Sequence, residues 1–204
     1  MKFCRLNMDG SWWIGDGVSG LLIDPWLHGT EVDYAGWFNT QWHATPPISY
    51  DELPLWNAVL ITQKYPDHFH KETLLRLKPD IVFATFRVAD AVRKILPMAD
   101  VRVFSLENPQ QSWKGITMTF LPTRRRIDPF YDALYIDVPK HGVLFAPHGI
   151  LLDEAHWSLL HNRPACSLLL APYNLYRLPT ILGGTVSPGL SGLRTLVDAL
   201  GPRV

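Results

Sequence analysis

Residues 60–70 read LITQKYPDHFH, an apolar run that ends in the pair Asp67 and His68 and leads into a polar, helix-forming stretch. A short, continuous apolar run of this kind predicts a buried β-strand, here over residues 58–62. The acid and the imidazole therefore lie just beyond a strand end, which allows two interpretations. Either Asp67 caps a helix that opens at Phe69, or Asp67 and His68 hold a metal ion and the chain is an enzyme.

The composition is that of a globular protein with a full hydrophobic core. The chain has 204 residues, 47% hydrophobic and 19% charged, and this length predicts one domain over residues 1–204. Its 19 basic residues equal its 19 acidic residues in number, so no excess charge would attract nucleic acid or an acidic membrane surface. We therefore expect a small-molecule substrate, and the sequence indicates no oligomeric state.

Cysteine usage and apolar runs predict the compartment. Cys4 and Cys166 are far apart and have no pair spacing, which is typical of a reducing environment and argues against a cysteine zinc site. The first ten residues, MKFCRLNMDG, lack the apolar centre of a secretory signal, and no apolar run approaches the roughly 20 residues that span a bilayer. We expect a cytoplasmic protein without a membrane anchor.

Short strand-like runs alternate with helical patterns along the chain. Continuous or alternating apolar runs predict strands over 11–14, 20–23, 58–62, 81–84, 116–121, 133–138 and 142–146. Helical spacing of apolar residues predicts helices over 72–77, 88–96, 153–160 and 192–200, the third of them capped by Asp153. This order of elements predicts an α/β fold in which two packed sheets carry helices on their outer sides.

Four stretches in this order resemble the metallo-β-lactamase fold superfamily, in particular its branch of cytosolic metal-dependent hydrolases. They are LLIDPWLHG (21–29), ITQKYPDHFHKETL (61–74), FAPHGI (145–150) after an antiparallel strand pair, and SLLLAP (167–172). The resemblance covers nearly the whole chain. It implies a four-layer αββα sandwich whose last strand would begin where this chain ends, at Val204.

The metal motif of that superfamily, HxHxDH, is altered in this chain. Gln63 and Tyr65 replace its first two histidines, whereas Asp67 and His68 remain. The resemblance also places His148 where the bridging aspartate of the family lies. We therefore expect the first of the two family metal sites to be lost. The second would keep Asp67, His68 and His148 as ligands of one divalent ion, with zinc first and iron or manganese as alternatives.

Other residues around this motif are implied to support it. Asp24 aligns with a residue that hydrogen-bonds around the metal loop, and it also suits a turn before Pro25. Gln63 could orient a water or a ligand carboxylate. Tyr65 either packs with its hydroxyl satisfied or lies beside the metal. His70, near the predicted helix start, is expected to be solvated.

Candidate substrate contacts come from three segments. The run TRRRIDPFYD contains Arg124 and Arg125, one of which falls near the third family histidine, and a guanidinium pairs well with phosphate or carboxylate. A solvated turn is the alternative for that run. Trp37 belongs to a long aromatic segment that either walls an apolar pocket or forms a separate hydrophobic cluster. His28 follows the Asp–Pro turn that the family places close to the metal.

The sequence is compatible with three functions. The first is a divergent metal-dependent hydrolase, with Asp67 and His68 as catalytic residues and a metal-bound water that attacks an ester, an amide or a phosphoester. The second is a non-haem iron oxygenase that uses the same ligands. The third is a metal-free binding protein whose site has decayed, because a fold alone does not determine a function.

Overall fold

The computed structural model describes residues 1–32, 36–37, 40–123, 132–150, 152–177 and 184–201. The chain divides into two compact units, Met1–Phe104 and Ser105–Val204. Among the described residues, no helix has the length and apolar character that a membrane crossing needs.

The first unit is built on a six-stranded sheet. In chain order its strands and those of a small hairpin are β1 (Lys2–Arg5), β2 (Trp12–Gly15), β3 (Gly20–Ile23), β4 (Thr30–Val32), β5 (Thr40–Trp42), β6 (Ala58–Ile61), β7 (Ile81–Thr85) and β8 (Asp100–Phe104). The sheet has the order β1-β2-β3-β6-β7-β8, and β4 pairs with β5 in the separate hairpin. Strands β1, β2 and β3 are antiparallel, whereas β3, β6, β7 and β8 run parallel.

The parallel strands form the core of this unit. Every residue of β3 and β6 is buried, as the continuous apolar sequences GLLI and AVLI predict. Helices α1 (Lys71–Leu77) and α2 (Ala89–Ile95) pack on the sheet through Leu74 and Val92, both completely buried. Each such side chain stabilises the unit by roughly 1.5–3 kcal/mol relative to an exposed one.

The sheet also places the candidate site. Strands β3 and β6 are parallel neighbours, so their carboxyl ends meet at one edge of the sheet. Asp24 follows β3 and Thr62 follows β6, and the Asp24 amide donates to the Leu60 carbonyl at 2.9 Å. Ligand sites in α/β sheets commonly form at such strand ends.

The second unit contains a five-stranded sheet. Its elements are β9 (Gln110–Trp113), β10 (Ile116–Leu121), β11 (Ala133–Val138), β12 (His141–Phe145), α3 (Glu154–Leu160), β13 (Cys166–Leu170), β14 (Leu175–Arg177), β15 (Thr185–Pro188) and α4 (Gly189–Leu200). The sheet order is β13-β12-β11-β10-β9, with only β12 and β13 parallel, and β14 pairs with β15 separately. The Asp153 side chain accepts from the amides of Ala155 and His156, so the predicted cap of α3 is confirmed.

The predicted α/β class and the four predicted helices are confirmed, with boundaries that differ by a few residues. The alternative in which Asp67 caps a helix is wrong. Helix α1 begins at Lys71 rather than at Phe69, and His70, not Asp67, is its N-cap. The Asp67 side chain is therefore not used as a helix cap.

Candidate functional site

The Asp24 carboxylate connects the residues of the candidate site. Asp24 is completely buried, and its backbone is left-handed, with φ of 44°, a conformation that short polar residues tolerate better than most others. Its Oδ1 accepts from the Thr62 amide at 2.7 Å, and its Oδ2 lies 2.8 Å from Nδ1 of His68. The Thr62 hydroxyl also donates to Oδ2. One carboxylate thus joins the loop after β3 to the loop after β6.

His68 lies between two carboxylates. The turn that carries it is closed by the His68 amide, which donates to the Tyr65 carbonyl at 2.9 Å. Nδ1 of His68 faces Asp24, and Nε2 lies 3.6 Å from Oδ2 of Asp67. Burial of the ring opposes protonation, but the charges of Asp67 and Asp24 outweigh it and raise the pKa of His68 to about 9. Without a metal, His68 therefore carries a proton on each ring nitrogen at neutral pH.

A third carboxylate, Asp9, lies near this pair and was not identified from the sequence. Burial and the charge of Asp67 raise the pKa of Asp9, and His68 and Arg5 lower it only in part. Asn7 holds the turn between β1 and β2, since its Oδ1 accepts from the amides of Asp9 and Ser11, both at 3.0 Å. The sequence NMDGS indicates a turn, but no motif spacing linked Asp9 to residues almost sixty positions away.

The Asp67–His68 pair suits a divalent cation. A carboxylate on Nδ1 fixes the imidazole so that Nε2 faces the ligand position, which is how metal-binding histidines are usually held. A separation of 3.6 Å between Nε2 and the Asp67 oxygen is one that two ligands of a common zinc, each roughly 2.0–2.2 Å from it, can span. The donor set of one imidazole and one carboxylate fits zinc, iron or manganese.

Gln63 and Tyr65 are both buried on the same loop. Tyr65 supplies the carbonyl that closes the His68 turn, and the Lys64 ammonium lies 5.9 Å from the centre of its ring. This placement agrees with a packed tyrosine. The roles predicted for the two side chains around a metal remain predictions.

His70, two residues beyond His68, belongs to a different cluster. It is buried rather than solvated, so the expectation of a solvated position is wrong. Its Nδ1 accepts from the Thr73 amide at 3.1 Å and lies 2.6 Å from the Thr73 hydroxyl, and its Nε2 lies 2.7 Å from Oε1 of Glu31. Burial, with help from nearby His28, lowers the pKa of His70 to about 4. The neutral ring, protonated at Nε2, satisfies all these contacts.

His28, a predicted substrate contact, is part of the same cluster. Its Nδ1 lies 2.7 Å from the Tyr50 hydroxyl, and its Nε2 lies 3.2 Å from Oε2 of Glu72. The rings of His28 and His70 meet edge to face, with centres 5.1 Å apart. Both nitrogens of His28 are thus engaged by protein groups.

The remaining predicted residues lie elsewhere. Trp37 is 89% exposed in the segment between β4 and β5. Arg124 and Arg125 lie outside the described residues. His148 is partly buried in the second unit, in a turn after β12 that the Gly149 amide closes on the Ala146 carbonyl. Over the described ranges, no group of three or more His, Cys, Asp or Glu side chains is arranged so that it could hold a metal ion.

Comparison with known proteins identifies the architecture. No protein-family model matches the sequence, and no curated protein matches it. Among solved structures, the chain is similar to an isothiocyanate hydrolase from Delia radicum gut bacteria, with a TM-score of 0.66, 14% identity, and coverage of 98% of this chain and 81% of that chain. It is also similar to a possible metal-dependent hydrolase from Veillonella parvula, with a TM-score of 0.68, 16% identity, and coverage of 95% and 79%.

A variant of the CmlA β-hydroxylase is similar too, with a TM-score of 0.68 and 16% identity, over 97% of this chain and 43% of that chain. These solved structures are metallo-β-lactamase-fold proteins. At such identities the likeness concerns the fold alone. The resemblance read from the sequence is therefore confirmed at that level, and this chain has the metallo-β-lactamase fold.

Proposed function

We propose that this chain is a divergent metal-dependent hydrolase that acts on an ester, an amide or a phosphoester of a small molecule. One divalent ion, zinc first, would be held by Asp67 and His68 of the first unit. The observation that carries the proposal is the arrangement Asp24–His68–Asp67, in which one carboxylate fixes the imidazole at Nδ1 and the other faces Nε2.

The residues of this site have separate tasks. Asp24 keeps the proton at Nδ1 of His68, so that the ring presents Nε2. The proton at Nε2 has to leave before that nitrogen can bind a cation, and Asp67 is the base next to it. A bound divalent ion supplies Lewis-acid chemistry, because it lowers the pKa of a coordinated water and polarises the bond to be cleaved. Asp9 adds negative charge beside the pair, which favours a cation there.

Metal content tests the proposal directly. We expect protein purified without added ions to contain zinc at about one equivalent per chain, and we expect chelation to lower its melting temperature. The Asp67→Ala variant should lose at least about 100-fold in zinc affinity, since it removes a ligand. Asp80→Asn, at an exposed carboxylate of the same unit, is the matched control and should bind zinc as the parent does.

Unchanged zinc affinity in Asp67→Ala would refute the site. The same conclusion would follow if the parent protein contained no metal and melted at the same temperature with and without chelator. That result would favour the metal-free binding protein.

Iron at about one equivalent per chain would support the oxygenase alternative. The structural likeness to the CmlA β-hydroxylase favours this second candidate, and an imidazole with a carboxylate also suits non-haem iron. Oxygen consumption by the iron-loaded protein, compared with hydrolysis of aryl esters and phosphoesters by the zinc-loaded protein, distinguishes the two activities.

A further inference from the structure

Three side chains of the first unit form a hydrogen-bonded series outside the candidate metal site. The Tyr50 hydroxyl lies 2.7 Å from Nδ1 of His28, and Nε2 of His28 lies 3.2 Å from Oε2 of Glu72. Tyr50 begins the 3-10 helix Tyr50–Glu52, His28 follows β3, and Glu72 is in the first turn of α1. A hydroxyl, an imidazole and a carboxylate in this order are the parts of an activated nucleophile.

We propose that Tyr50 is a nucleophile activated by His28 and Glu72, and that it accepts acyl or sulfonyl groups from small electrophiles. In this step the Tyr50 oxygen forms a bond to the carbonyl carbon or the sulfur atom. The bond to the leaving group breaks, and the phenol proton passes to Nδ1 of His28. No metal takes part in this step, so its test does not depend on whether the proposed hydrolase function is correct.

The tautomer of His28 is the first argument. The Glu72 carboxylate can only accept a hydrogen bond, so the neutral His28 ring carries its hydrogen at Nε2, and Nδ1 is free to accept from the Tyr50 hydroxyl. The Tyr50 hydroxyl can also donate to Oγ1 of Thr73, at the longer distance of 3.3 Å. The contact with His28 is the shorter of the two, so the phenol proton is directed toward the base.

The charge around the ring is the second argument. The Arg76 guanidinium lies 4.0 Å from the centre of the Tyr50 ring, where it stabilises the negative charge that develops on the phenol oxygen. Burial raises the pKa of Tyr50, although the Thr73 hydrogen bond and Arg76 act against it. Tyr50 therefore stays neutral at rest and needs its base for reaction, which distinguishes it from a merely exposed phenol.

Tyr173 provides a control within the same molecule. It is 74% exposed, and none of the described residues forms a hydrogen bond to its hydroxyl as a base. Exposure alone would make Tyr173 the more reactive tyrosine, because Tyr50 is only partly exposed. The ratio of the two rates therefore separates activation from accessibility.

The experiment treats the chelated full-length chain with p-toluenesulfonyl fluoride and follows both tyrosine peptides by mass spectrometry. We expect Tyr50 to be modified at least about 10-fold faster than Tyr173, given that a general base contributes about 10²–10⁴-fold. His28→Gln should lower the Tyr50 rate by on the order of 10²-fold. Glu72→Gln should lower it by roughly 3- to 10-fold, since that carboxylate is largely solvated.

Two further variants serve as controls. Asp51→Asn, at an exposed acid beside Tyr50, should leave the rate unchanged, and Tyr50→Phe should remove the labelled peptide. If His28→Gln disrupted the fold, Tyr50 and Tyr173 would react at about equal rates, whereas loss of the base in a folded protein should leave Tyr50 roughly 10-fold slower than Tyr173. The proposal is overturned if Tyr50 reacts more slowly than Tyr173 in the parent protein, or equally fast in the parent and in His28→Gln.

Discussion

Two buried histidines, His68 and His70, lie two positions apart and have opposite electrostatic environments. The pKa of His68 is raised to about 9, whereas the pKa of His70 is lowered to about 4. Both rings are almost completely buried, so burial alone cannot explain the difference. The difference comes from what each ring nitrogen contacts.

His68 faces carboxylates on both sides, and a doubly protonated ring satisfies Asp24 and Asp67 together. His70 instead accepts from the Thr73 amide at Nδ1, which requires that nitrogen to be unprotonated. Glu31 lies 2.7 Å from Nε2 of His70, but a neutral ring already has the one hydrogen that this contact needs. An adjacent acid therefore does not by itself make a buried histidine cationic.

The comparison indicates which histidine can serve a metal. His68 has its Nδ1 held by Asp24 and a second donor beside Nε2, whereas both nitrogens of His70 are used to fix the start of α1 and the strand β4. His70 is thus a structural residue. The candidate metal ligand is the histidine with the raised pKa, because a site that stabilises a proton between carboxylates also stabilises a metal cation there.

Asp24→Asn should have the largest effect on this comparison. The amide NH₂ group would face the hydrogen at Nδ1 of His68, so a buried cation would lose its closest partner. We expect the free energy of unfolding of the metal-free protein to fall by about 3–5 kcal/mol, which is typical when one partner of a buried ion pair is removed. Urea denaturation measures it, and Asp80→Asn should change the free energy by less than about 0.5 kcal/mol. A loss below about 1 kcal/mol in Asp24→Asn would mean that His68 is not held as a cation.

In the chelated protein, both His68 and His70 should contribute to the pH dependence of the free energy of unfolding. Because the unfolded histidine has a pKa of about 6.5, the stabilisation from His68 is present below about pH 6.5 and is lost as the pH rises through 9. His70 acts in the opposite direction. Between pH 6.5 and 4 its ring is protonated in the unfolded chain but not in the folded chain, so the free energy of unfolding falls as the pH is lowered. We therefore expect a stability maximum near pH 6.5, with slopes of at most about 1.4 kcal/mol per pH unit for each proton.

Urea denaturation between pH 5 and 9 measures these slopes, and two variants assign them. His68→Gln should flatten the alkaline side alone, and His70→Asn should flatten the acidic side alone while it keeps a good helix N-cap. An alkaline slope that persisted in His68→Gln would assign it to another group.

The sequence was sufficient to predict the fold, but not the different environments of His68 and His70. A short, continuous apolar run such as AVLI is typical of a buried strand in a parallel sheet, and the order of the motifs along the chain then indicates the fold. The cap of α1 at His70 could not be predicted from residue types, because aspartate is a common helix cap and histidine is not. Asp9 was missed because only the folded chain brings the β1–β2 turn beside His68.

Glu31→Gln should have the smallest effect, although it makes the same acid-to-amide change as Asp24→Asn. The amide oxygen of glutamine can accept from Nε2 of a neutral His70, so the hydrogen bond survives without the charge. We expect the free energy of unfolding at pH 7 to change by less than about 0.5 kcal/mol, and nitrogen NMR should show the Nε2-protonated ring in both proteins. If His70 were a cation, this substitution would remove its counter-charge and cost several kcal/mol. The two amide variants together therefore measure how a carboxylate acts beside a protonated imidazole and beside a neutral one within the same fold.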